Sequence, residues 1–149
     1  MNKHHYIRLV IMTLLSFLAM YMLMYAMVDS FSNVFSNFNQ VYMPGLMAAP
    51  MVLIEVALMS TMYPNKKWNA LIAIASVIAL VLFWSGIRRQ VGISDKQFLR
   101  SMIPHHGGAI LMCEQAAIND PEIKQLCREI ISSQQREIDQ MKAKLNELH

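Results

Sequence analysis

Residues 9–28, 43–63 and 68–87 form three apolar runs, each long enough to cross a hydrocarbon core of ~30 Å. The first and third contain no Asp, Glu, Lys or Arg, and the second contains only Glu55. Lipid offers no partners for backbone polar groups, so each run is predicted to be a helix that satisfies its own N–H and C=O groups. Pro44 lies near the start of the second run and Glu55 near its middle, while Trp68 and Trp84 suit interfacial positions at the ends of the third. No small-residue cleavage site follows the first run, which therefore reads as an uncleaved anchor.

The charges divide the chain at the same place. Residues 1–92 carry eight charged side chains, and the other fifteen lie in 93–149. Charged residues make up 15% of the whole, against about 25% in an ordinary soluble domain. The chain therefore reads as a membrane domain over 1–92 and an aqueous domain over 93–149. The net charge of +3 comes from the membrane half, and the aqueous half is close to balanced. A nucleic-acid surface needs a concentrated basic patch, so nucleic acid is not an expected partner.

Lys3, Arg8, Lys66 and Lys67 flank the cytoplasmic side if the N-terminus is inside, and residues 29–42 contain no Lys or Arg. Arg88, Arg89, Lys96 and Arg100 oppose that orientation. The first helix and the base-free first loop decide it: N-terminus cytoplasmic, residues 93–149 periplasmic or extracellular. Phe31, Val34, Phe35 and Phe38 recur at helical spacing, so 29–42 reads as an interfacial helix or an extension of the first span.

Beyond Gly92, Ser94 and Gln97 match a capping box that opens a helix running to about Ile118. Asp120-Pro121-Glu122 restarts a second helix, with Asp120 as cap and Pro121 in the first turn. The short connection predicts an antiparallel hairpin. Pairing residues whose numbers sum to about 240 sets Cys113 against Cys127, His106 against Gln134, and Met102 against Ile138 with Glu137 beside it. At about 100° per residue, Met102, His106 and Cys113 share one helix face, while His105 and Met112 form a second stripe.

This hairpin holds the chemistry. Imidazoles at His105 and His106 lie among thioethers at Met102 and Met112, with Gln134, Glu137 and Met141 across the hairpin. Thioethers select Cu(I), and imidazole suits copper, zinc, iron or nickel, so copper is the favoured cofactor. The competing reading is that the histidines are hydrogen-bonded interior residues. No HExxH or paired CxxC motif supports a zinc enzyme. Pro104, Gly107 and Gly108 weaken the helix at the histidines, which suits close backbone approach or local opening. Cys113 and Cys127 could be a disulfide, metal ligands or small buried hydrophobes, and a shared level outside the cytoplasm favours the disulfide. In the second span, Met47, Met51, Glu55 and Met59 form a line at i, i+4 spacing, in which a protonated Glu55 is expected to bond a neighbouring helix.

The run from Gln97 to His106, followed by the run from Ile131 to Met141, closely resembles the family known as domain of unknown function 305. The resemblance covers roughly residues 93–147. It implies a helical, ferritin-like bundle, and some members are similar to secreted copper-binding proteins. The family pattern implies that Met102, His105, His106, Met112, Gln134, Glu137 and Met141 are the functional positions. This hairpin is poorer in Met and His motifs than those copper-binding members. The three spans resemble a membrane-bound subgroup.

Two functions follow as expectations. One is a non-enzymatic, membrane-anchored protein for copper handling or tolerance outside the cytoplasm. The other is a structural or interaction module whose hairpins form an oligomeric bundle without metal. Two helices bury little core alone, so a homo-oligomer is expected under both.

Overall fold

The structure is a computed structural model describing residues 3–148. Among the described residues the fold is all-α: α1 (Lys3–Leu23), α2 (Phe38–Leu58), α3 (Lys66–Arg89), α4 (Asp95–Gln115) and α5 (Pro121–Glu147), with two short 3-10 turns between α1 and α2. The chain forms two compact units. One comprises the chain through Leu23 together with 39–91; the other comprises 24–38 and the chain from Gly92 onward.

Three helices are long and apolar enough to cross a membrane, His4–Met27 (counting a 3-10 turn with α1), Phe38–Leu58 and Lys66–Arg89, and all but residues 24–27 and 38 of them belong to the first unit. The second span lies five residues earlier at each end than hydropathy predicts. At its start the Phe38 N–H donates to the Gln97 side chain at 3.0 Å, so the helix begins well before Pro44. At its end residues 59–62 turn, and Pro64 biases Tyr63 toward extended backbone. Glu55 consequently sits in the last turn of α2 rather than mid-span. Tyr63 folds back and donates its hydroxyl to Glu55 Oε1 at 3.3 Å, so the partner is a tyrosine of the α2–α3 connection, not a neighbouring helix. Asn65 caps α3 by accepting from the N–H groups of Lys67 and Trp68.

Small residues lie inside this unit. Gly45, Ala48, Ala49, Ser76 and Gly86 are buried, and a Cβ on Gly45 would come within 2.5 Å of the Phe83 ring. Leu14, Leu15, Leu18, Leu58 and Leu82 are all more than half exposed. Leu9, Val52, Val56 and Tyr63 form a core cluster, beside which the Tyr6 hydroxyl donates to Asn69 Oδ1 at 2.7 Å.

The second unit is more than a hairpin. Its two helices pack around Ile103, Ile110, Ile138 and Leu145, with Ile103 and Ile138 fully buried. Asp120 caps α5 as expected, accepting from Glu122 N–H at 2.8 Å and Ile123 N–H at 3.1 Å. Ser94 caps α4, but the capping box is only half formed, because the Gln97 side chain is spent on Phe38.

Residues 24–38 are not an interfacial helix. They form a strap that runs along α4 in the opposite direction. A Cβ on Gly108 would lie 3.2 Å from the Met27 carbonyl, and one on Gly107 would collide with the Asp29 carboxylate. Farther along, Asn37 Nδ2 donates to the Arg100 carbonyl at 3.3 Å. That carbonyl is the one Pro104 leaves without its helical donor four residues on. The strap therefore explains both helix-weakening features: Gly108 admits its backbone at Met27 and Gly107 the side chains of Val28 and Asp29, and Asn37 answers the proline. Phe35 adds its ring to the Ile103–Ile138 core.

Candidate functional site

The site is built on the buried side of α4. His106 is 7% exposed, and its position four residues after Met102 brings Nδ1 to 2.9 Å from the Met102 carbonyl oxygen. A carbonyl only accepts, so Nδ1 carries a hydrogen and donates it. On the other side of the ring, Nε2 lies 2.6 Å from Glu137 Oε2 on α5. One proton joins that pair, either donated by N–H to carboxylate or by O–H to the ring nitrogen. In both cases the Nε2 lone pair is closed.

The predicted register set His106 against Gln134. The sum rule describes α-carbons, whereas side chains on a helix lean toward its N-terminus. On antiparallel helices the two leans are opposite, so the His106 ring leans toward Met102, away from the level of Gln134, while Glu137 leans back toward Gln134, and the two side chains meet between. Gln134 itself is half-buried and does not line the site.

Beside the pair is a cleft of about 320 Å³, lined by Phe98, Leu99, Met102, His106, Glu137, Gln140, Met141 and Lys144. Four of the residues singled out from sequence converge here: Met102, His106, Glu137 and Met141. His105 and Met112 do not. Both are exposed on the outer flank of α4, and the His105 ring centroid lies 6.2 Å from that of His106. The expected set of Met102, His105, His106 and Met112 is thus divided between two faces, because consecutive helical residues point about 100° apart. Among the described residues no group of three or more His, Cys, Asp or Glu side chains is arranged to hold a metal ion.

Sequence reading missed Phe98, Leu99, Gln140 and Lys144 as cleft residues. The seven-residue step from Met141 to Leu148 passes Lys144, and Gln140 adjoins Glu137 by one turn, so helical spacing was the available signal. Lys144 donates to Glu147 at 2.7 Å, and that hydrogen bond raises its pKa above the ordinary lysine value. Its charge is thus paired at the surface.

At the far end of the hairpin Cys113 and Cys127 are disulfide-bonded, with α-carbons 5.3 Å apart. The bond closes the loop between α4 and α5 and holds their relative level two turns beyond His106.

A family model described as "Domain of unknown function (DUF305)" matches residues 47–145, from within the second apolar helix through the third and into the hairpin. The chain is also similar to "Uncharacterized protein L153" of Acanthamoeba polyphaga mimivirus, with 37% identity over 142 residues, 93% of this chain and 91% of that protein. No solved structure matches.

Proposed function

The chain belongs to the DUF305 family, and from that premise and the cleft on α4 we propose a membrane-anchored protein that binds copper for handling or tolerance outside the cytoplasm. The observation that carries this reading is the convergence of two thioethers, Met102 and Met141, on the one cleft that holds the buried imidazole of His106. That donor set fits a soft monovalent ion better than zinc or iron. Met102, Met141 and His106 Nε2 are the groups that would hold it, and bound copper would supply cargo or redox capacity rather than structure. The protein is not an enzyme in this reading. Its N-terminus is cytoplasmic and its polar unit lies outside, an orientation drawn from the basic residues around the first helix.

A competition titration of the full chain in detergent against a Cu(I) chelator tests the site. His106→Ala and the Met102→Ala/Met141→Ala pair should each lose about tenfold or more in affinity, roughly 1.4 kcal/mol. The flank pair His105→Ala/Met112→Ala should match the native chain. No retention by the native chain, or loss confined to the flank pair, sinks the cleft. A reporter active only after export, fused behind His149, tests the orientation; cytoplasmic signal there reverses it.

A second reading is favoured by one specific observation. Both ring nitrogens of His106 are engaged by protein groups, as in a structural histidine that fastens two helices. On that view the polar unit is an interaction module. Its half-exposed Phe98, Met112, Ile123 and Leu126 would cover one another between copies of the chain. Equal copper retention by all the variants selects this alternative.

A further inference from the structure

We infer that Glu137 is an internal placeholder on His106: it occupies the one ring nitrogen able to bind a cation, so the cleft loads by displacing that carboxylate. The inference rests on the copper reading above and concerns how that same site is regulated.

The ring has two nitrogens, and the helix has already spent one. Nδ1 donates to the Met102 carbonyl, an acceptor fixed in the α4 backbone, and the ring around it is buried. Release of Nδ1 would leave a buried donor unsatisfied. Nε2 is therefore the only outlet, and Glu137 closes it at 2.6 Å.

The two partners differ in freedom. The His106 side chain is 9% exposed, whereas that of Glu137 is 52% exposed. Apart from His106, no hydrogen-bond or ion-pair partner holds Glu137 among the described residues. The carboxyl group can rotate into water carrying the shared proton with it, and release that proton to solvent. One hydrogen bond is then exchanged for several, while the imidazole stays in place with a bare Nε2 lone pair. A cap that is mobile over a ligand that is fixed is what displacement requires.

Met102 and Met141 line the same cleft, so the nitrogen uncovered by that rotation opens toward two thioethers. Until then the imidazole is unavailable, and the apparent affinity is reduced by the fraction of time the cap is closed. Removal of Glu137 should tighten binding, which is the reverse of what loss of a ligand does.

Ag(I) is a suitable probe because it is soft, monovalent and redox-inert. The full chain in detergent, Glu137→Ala and Glu137→Gln are compared by chelator competition. Glu137→Ala should bind Ag(I) about five- to tenfold tighter than native. Glu137→Gln should fall between, since its amide can still reach Nε2. In the metal-free chains, ¹⁵N spectra of labelled histidine should show the Nε2 resonance of His106 moving in Glu137→Ala while Nδ1 stays. Thermal melts by circular dichroism verify that both variants fold, and Glu137→Gln carries the comparison if the alanine variant does not.

Ag(I) bound by the native chain but no tighter by either variant overturns the placeholder and leaves the copper reading standing. Weaker binding by both variants makes Glu137 a ligand and also overturns it. Binding by Glu137→Ala where the native chain binds none upholds the placeholder and sinks the copper reading for the native chain. An unmoved Nε2 resonance, or no binding by any chain, overturns it outright.

Discussion

The two units of this molecule fill their interiors with different proportions of small and large residues. In the first, Gly45, Ala48, Ala49, Ser76 and Gly86 share the interior with a small cluster of Leu9, Val52, Val56 and Tyr63, while leucines such as Leu14, Leu58 and Leu82 lie outside. In the second, Ile103, Ile110, Ile138 and Leu145 are inside, and the outward positions of α5 carry Lys, Arg, Glu and Gln. Water drives large apolar side chains inward in the second unit, at about 25 cal/mol per Å² buried. The three apolar helices of the first unit are long and apolar enough to cross a membrane, and hydrocarbon around them would give no such drive, leaving association to close approach, which small residues permit. The difference teaches that buried large side chains account for the core of the polar unit but for only part of the interior of the apolar one. There the informative positions are the small ones, such as Gly45 beneath Phe83.

That contrast can be broken by truncating one large aliphatic residue in each unit. Ile138→Ala removes a fully buried side chain from the seam between α4, α5 and the strap. Large-to-small changes at such sites cost about 2–5 kcal/mol. Leu82→Ala removes a side chain that is 65% exposed, and in detergent its effect should stay within about 0.5 kcal/mol. Amide hydrogen exchange read by peptide can separate the units. Faster exchange throughout α4 and α5 in Ile138→Ala, with no change for Leu82→Ala, is the expected pattern. A comparable loss from both would mean that the apolar unit also relies on its large side chains.

Much of this architecture was legible in the sequence, and the parts that were not share a cause. The three apolar helices, the Asp120-Pro121 start of α5 and the shared level of Cys113 and Cys127 depend on local composition and spacing. The strap does not. Its Phe residues at helical spacing suggest a helix, yet Asp29, Asn33 and Asn37 decide its path by bonds to one another and to α4. Those bonds exist only once Gly107 and Gly108 have opened a seat, so no window of local sequence contains the signal. Gln97 is a similar case: its capping role was correctly anticipated in kind, but the acceptor serves a different helix. At the site, α-carbon register located α5 opposite α4 but could not choose between Gln134 and Glu137, because the choice is made by side-chain lean. Glu55 was displaced from mid-span for a third reason, the turn at 59–62 that ends α2 early.

The smallest expected effect gives the sharpest comparison, since both units use a glycine to admit a neighbour. At Gly45 the obstacle to a Cβ is the Phe83 ring, whose edge atoms all lie near 2.5 Å. At Gly107 it is the tip of the Asp29 carboxylate, with Asp29 Cγ and Val28 Cγ1 behind it at 3.3 Å. A ring packed among helices cannot yield without moving its helix, whereas a carboxylate tip can swing aside. Swinging would cost the Asn33 Nδ2 bond to Asp29 Oδ1, about 1 kcal/mol. Alanine in place of a mid-helix glycine returns about 1 kcal/mol of helix propensity. Gly107→Ala should therefore come out near neutral or slightly destabilising in the native background. With Asp29→Ala already present the obstacle is gone, and the same change should stabilise by about 1 kcal/mol. Gly45→Ala has no such rescue by a polar truncation and should destabilise in either background, by about 1–3 kcal/mol. Denaturant midpoints for the four chains of the Gly107/Asp29 cycle measure the coupling. Strict additivity between the two positions would show that the strap does not seat on Gly107, and the explanation given for the weakened helix at the histidines would fall with it.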